Sequence, residues 1–121
     1  MTEIIGQSDS MKNPQELPQW NKNIGETELY IVRYVYSTSK FATIIFTVNF
    51  YMLGKPISDI LNELRNECIS NGCIYMSKLP VKSGFSGSRQ YIQLQGDQRE
   101  KSTRYFILKL GIAPEDIKYD F

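Results

Sequence analysis

Apolar positions crowd together from Leu29 onward. Leu29-Tyr30-Ile31-Val32-Arg33-Tyr34-Val35-Tyr36 is followed by the polar stretch Ser37-Thr38-Ser39-Lys40, and a second apolar run covers 41–50. β-Branched and aromatic residues on both sides of a short polar loop predict a β-hairpin. Tyr30, Val32 and Tyr34 would line one face, and Leu29, Ile31 and Val35 the other. Such strands are either central and covered twice, or they leave a sticky face.

The period then changes. After Lys55-Pro56, Ile57, Ile60, Leu61, Leu64 and Cys68 form an apolar stripe of helical spacing, with proline expected at the first helical position. Asn71-Gly72 is expected to end that helix, the glycine in the left-handed conformation. A strand over 73–79, a Gly- and Ser-rich loop over 80–88 and a strand over 89–94 follow. Asp97 and Glu100 have the spacing of a capping box, which predicts a second helix from Gln98 with Thr103, Phe106, Ile107 and Leu110 inward. Gly111 stops it, and 116–121 reads as a last strand. The order ββαββαβ predicts an α+β fold: two helices on one face of a mixed, mostly antiparallel sheet of about five strands.

At 121 residues the chain has the size of one domain and can bury a core without staples. Residues 1–25 are rich in Ser, Asn, Gln and Pro and predict a flexible tail, leaving 26–121 as the folded unit. Trp20 would either fold back on that unit or anchor a partner. No apolar run is long enough for a membrane span and no secretory signal is readable, so a cytoplasmic home and no membrane partner are expected. With no histidine, Cys68 and Cys73 cannot complete a four-ligand zinc site. They are read as buried thiols, and no metal or cofactor is expected. The missing histidine also removes the commonest general base, so no catalytic role is expected. Net charge is +1, but 77–109 carries seven basic side chains, Lys78, Lys82, Arg89, Arg99, Lys101, Arg104 and Lys109, against Asp97 and Glu100. That segment is the candidate phosphate-facing surface.

Between the fourth strand and the second helix lies Ile92-Gln93-Leu94-Gln95-Gly96-Asp97-Gln98-Arg99. The run resembles the IQLQGDQR signature of the eukaryotic translation initiation factor 1 family. The likeness extends over about 28–121: the first helix leads into Asn71-Gly72, Leu110-Gly111-Ile112 resembles the family's glycine-terminated second helix, and Ile117 and Phe121 resemble its closing strand. Asp120 stands where the family has a glycine. The resemblance implies a start-codon fidelity factor, monomeric off the ribosome, that binds the small ribosomal subunit beside the peptidyl site and leaves on codon recognition. It implies that the loop 37–40, with Lys40, points toward ribosomal RNA, that the loop 80–88, with Lys82 and Phe85, faces the initiator tRNA, and that other initiation factors are partners. Gly96, Asp97, Gln98 and Arg99 would form the fidelity motif. Lys40, Lys78, Lys82, Arg89, Arg99, Lys101 and Arg104 would contact RNA, with Arg99 and Lys101 free of capping duty.

The chain departs from the family in charge. Its hairpin loop keeps only Lys40, and the first helix carries Asp59, Glu63 and Glu67 on one line, relieved only by Arg65. Those carboxylates either solvate the face, or weaken ribosome binding, or receive a basic protein. The loop 80–88 is longer than the family's and would be a bulkier gate; lying between strands, it is read as a hairpin connection and not a phosphate cradle. An alternative reading is a divergent domain recruited for protein contacts or ribosome modulation, without fidelity activity. A small hydrolase such as an acylphosphatase would need a phosphate loop feeding a helix, and none is readable.

Overall fold

Strand β1 (Leu29–Ser37) turns through two residues into β2 (Lys40–Thr47), and the pair sits in the middle of a five-stranded sheet. The computed structural model describes residues 28–81 and 87–118. A short 3₁₀ turn (Phe50–Leu53) leads to α1 (Ile57–Cys68), β3 (Gly72–Lys78), β4 (Ser88–Gln95) and α2 (Arg99–Leu110); a second 3₁₀ turn (Pro114–Asp116) precedes β5 (Ile117–Lys118). The spatial order is β3-β4-β2-β1-β5, antiparallel throughout except for β1 with β5. This is the expected α+β architecture. The tail 1–25 with Trp20, Lys82, Phe85, Asp120 and Phe121 lie outside the described residues.

Side chains on both faces of the central hairpin are buried, in line with the first of the two sequence readings, and the two helices lie on one of those faces. On one face Leu29, Ile31, Ile45, Ile92 and Leu94 pack with Ile60, Leu61, Leu64 and Cys68 of α1 and Tyr105 and Phe106 of α2. On the other, Tyr30, Val32, Ala42, Ile44, Phe46, Val48 and Tyr91 form a second cluster, with Tyr30 stacked on Phe46 at 5.0 Å. The apolar stripe of α1 therefore has the sheet contact that its period demanded. Towards the hairpin tip the cover ends, and Val35 and Tyr36 are exposed.

Several local expectations change. Pro56 is extended and caps α1 instead of opening it, because its carbonyl already accepts from Asp59 and Ile60. The left-handed residue after α1 is Ile69, at φ 49°, and not Gly72. Gly72 is needed for space: a Cβ there would lie 2.6 Å from Leu94 Cδ2 and 3.1 Å from the Gln93 carbonyl oxygen. Cys68 is buried as read, but Cys73 is exposed on the outer strand β3. Ser102 and Tyr105 join the buried side of α2, while Ile107 and Leu110 are only partly covered.

Candidate functional site

Residues 95–99 cross from β4 to α2 through a turn tied down at several points. Gly96 adopts φ +85°, which glycine reaches without steric cost. Its N–H donates to the Phe41 carbonyl (2.9 Å) at the start of β2. Two residues further along β2, the fully buried Thr43 hydroxyl donates to the Gly96 carbonyl (2.8 Å) and accepts from the Gln98 N–H (2.7 Å). From the other side, the Ser70 hydroxyl donates to the Gln95 carbonyl and the Gln95 N–H to the Asn71 carbonyl. Gln98 Nε2 closes onto the Gln95 carbonyl at 3.2 Å. The turn is thus fixed to the hairpin and to the segment after α1.

The capping box does not form as expected. α2 begins at Arg99, one residue later than the spacing predicts, and among the described residues Glu100 makes no return bond. Asp97 instead takes a bidentate grip from Arg99, Nε to Oδ1 at 2.9 Å and Nη2 to Oδ2 at 3.0 Å, with a long contact from the Arg99 N–H at 3.4 Å. That guanidinium, opposing a modest burial cost and helped by Arg33 nearby, holds the Asp97 carboxyl below the usual carboxylate range. Arg99 is therefore committed to the turn.

The other expected cations separate. Lys78 pairs in register with Ser88, and Gly72 with Leu94, so Lys78 and Ser88 stand at one end of the sheet. The hairpin tip and the Gly96 turn stand at the other, about 23 Å away along β4. Lys78, Lys40, Lys101 and Arg104 are exposed. Arg89 is buried and donates from Nη2 to the Val48 carbonyl at 2.8 Å, which removes it from the surface expected to face phosphate. The basic segment is thus no single surface. Arg33, overlooked in the sequence, extends the hairpin end: its guanidinium lies 5.1 Å from the Phe41 ring centre.

The acidic line on α1 is drawn inward. Glu63 accepts from the Tyr105 hydroxyl (2.6 Å) and from Lys55 Nζ (2.6 Å), and Glu67 lies 3.9 Å from Lys109. Lys55 first, then Tyr105, lowers the Glu63 carboxyl below its ordinary range. Two of the three carboxylates read as solvating or partner-facing thus join α1 to its surroundings. Among the described residues no three His, Cys, Asp or Glu gather where a metal could sit, and no helix is long and apolar enough to cross a membrane.

Thr43, Ser70 and Arg33 carry no signal in the sequence. A threonine inside an apolar strand reads as an ordinary β-former. Its partner lies 53 residues away.

No family model matches the chain, and no curated protein sequence matches it at the significance applied. Among solved structures the C-terminal domain of human eIF2D is similar at a TM-score of 0.58 and 16% identity, over 74% of this chain and 41% of that one. The chain thus spans less than half the length of that structure. At this identity the likeness is one of fold, and the two share an α+β architecture.

Proposed function

We propose that this protein is a translation initiation factor that binds the small ribosomal subunit near the peptidyl site, promotes scanning and enforces start-codon selection by occupancy and release. The observation that carries this reading is the Gly96-Asp97-Gln98-Arg99 turn, locked to the hairpin through Thr43 at one end of the sheet. The sharing of a fold with a domain of human eIF2D, itself a translation initiation factor, supports it. A turn tied to two elements displays its neighbours in one orientation, as a reader of codon–anticodon geometry requires. Lys40 and Arg33 at the tip and Lys101 and Arg104 on α2 supply cations for ribosomal RNA. The mechanism needs no covalent step, and its cellular place is the cytoplasm, beside initiator tRNA and other initiation factors.

The divergent protein-binding reading draws on an acidic helix and a sticky sheet face. Glu63 and Glu67 are engaged within the chain and apolar side chains on both faces of the central strands are buried, which weakens that reading. A reconstituted scanning assay comparing AUG with near-cognate starts tests the proposal. Added protein should lower near-cognate initiation while leaving AUG unaffected; unchanged ratios at saturating small-subunit occupancy would exclude fidelity activity.

A further inference from the structure

Where this hairpin lacks the lysines of a phosphate grip, it carries two tyrosines. The rings of Tyr34 and Tyr36 lie 6.0 Å apart, inclined by 34°. Tyr34 is half-buried against the second core cluster, and Tyr36 is 46% exposed. Tyr36 is also the residue that the ladder skips: Val35 faces Phe41 and Ser37 faces Lys40. Neither Thr38 nor Ser39 has a positive φ, so the loop is not one of the primed turns that follow strand twist. The extra residue takes up the mismatch, and a bulge of this kind re-aims its side chain.

Around the ring pair the tip is polar and cationic: Ser37, Thr38, Ser39 and Lys40 adjoin it, and Arg33 sits on the opposite face of the same strand. An anchored ring beside a half-exposed one, with a lysine close by, suits a nucleobase and its phosphate. Bases of every type present a π face, and stacking supplies affinity where cations are few. A protein partner would call for a continuous apolar patch, which the polar tip interrupts.

We propose that Tyr34 and Tyr36 form a stacking platform for an unpaired nucleobase of RNA, so that the hairpin tip holds the small subunit through base stacking more than through phosphate charge. The inference rests on the ribosome-binding reading for its cellular target but not for its chemistry. Two measurements on the full chain separate them. In the first, binding to purified small subunits is followed over a salt series for the parent, Tyr36→Ala, Tyr36→Trp and the double variant Lys101→Ala/Arg104→Ala. Tyr36→Ala should weaken binding by about fivefold or more without changing the salt slope, Tyr36→Trp should restore it, and the double variant should flatten the slope. In the second, amide and ring NMR signals of Tyr34 and Tyr36 are followed during titration with oligoadenylate and with protein-free small-subunit RNA, and both tyrosines should shift. A tyrosine response without any subunit binding would refute the ribosomal reading and leave the platform standing. Subunit binding indifferent to Tyr36→Ala would overturn the platform and leave the ribosomal reading. Loss of subunit binding in Tyr36→Ala with no response to either RNA would overturn it in favour of a protein contact.

Discussion

Thr43 shows how much one hydroxyl can decide. It is fully buried, and its two bonds satisfy a carbonyl and an N–H in a turn that neither helix nor sheet would otherwise pair. Thr43→Val keeps the shape and removes both bonds, so unfolding free energy in urea should fall by about 1–3 kcal/mol, with faster amide exchange at Gln98. Thr43→Ser should retain both. Ile60→Val, a core change costing about 0.5–1.5 kcal/mol, is the control. If the turn reads the codon, Thr43→Val should raise near-cognate initiation beyond what Ile60→Val does at matched stability. Asp97 offers a second test. Its folded pKa is depressed, so its contribution is complete above the carboxylate's unfolded value and disappears as pH falls through the folded one. Asp97→Asn should therefore make stability less dependent on acid below about pH 4, as followed by thermal unfolding.

At the scale of the elements, the stretch joining α1 to β3 separates two demands that the sequence seemed to place on one glycine. Ile69 takes the left-handed residue's work at φ 49° and is 85% exposed, a costly position for a β-branched side chain. Ile69→Gly should raise stability by up to about 1 kcal/mol, the relief of strain being offset in part by a freer unfolded chain. Gly72→Ala should do the reverse, since Leu94 Cδ2 and the Gln93 carbonyl already occupy the space. Chemical denaturation of the two variants measures both, and a neutral Gly72→Ala would show that β3 can shift. Element type and order were legible because period is a local property: the stripe through Ile60, Leu61, Leu64 and Cys68 has one buried face wherever the helix lands. Cap chemistry was legible only in part, because Asp97 had to choose between the helix N–H groups and Arg99, and bidentate geometry favoured the guanidinium.

For the whole molecule, what escaped the sequence lies in contacts between distant segments. The charge count over 77–109 could not reveal that the sheet parts Lys78 from the Gly96 turn or buries Arg89. Nor could the line Asp59, Glu63, Glu67 reveal that α2 would supply Tyr105 and Lys109 to meet it. These contacts give the fold an alkaline limit. Burial first, and then a hydroxyl bond to a carboxylate, raises the pKa of Tyr105 beside Glu63 and of Tyr30 beside Glu28 well above the tyrosine range. In the unfolded chain both ionise near pH ~10, whereas the folded state keeps the protons, because losing one would set two anions side by side. Above that pH the unfolded state binds fewer protons than the native one, so stability must fall as pH rises. Urea unfolding from neutral pH to beyond about pH 10 should show that decline. Tyr105→Phe gives up a hydrogen bond and starts lower at neutral pH, yet it removes one titrating group and should lose stability less steeply. Tyr30→Phe combined with it should flatten the profile further, and parallel curves for parent and double variant would place the alkaline limit elsewhere in the fold.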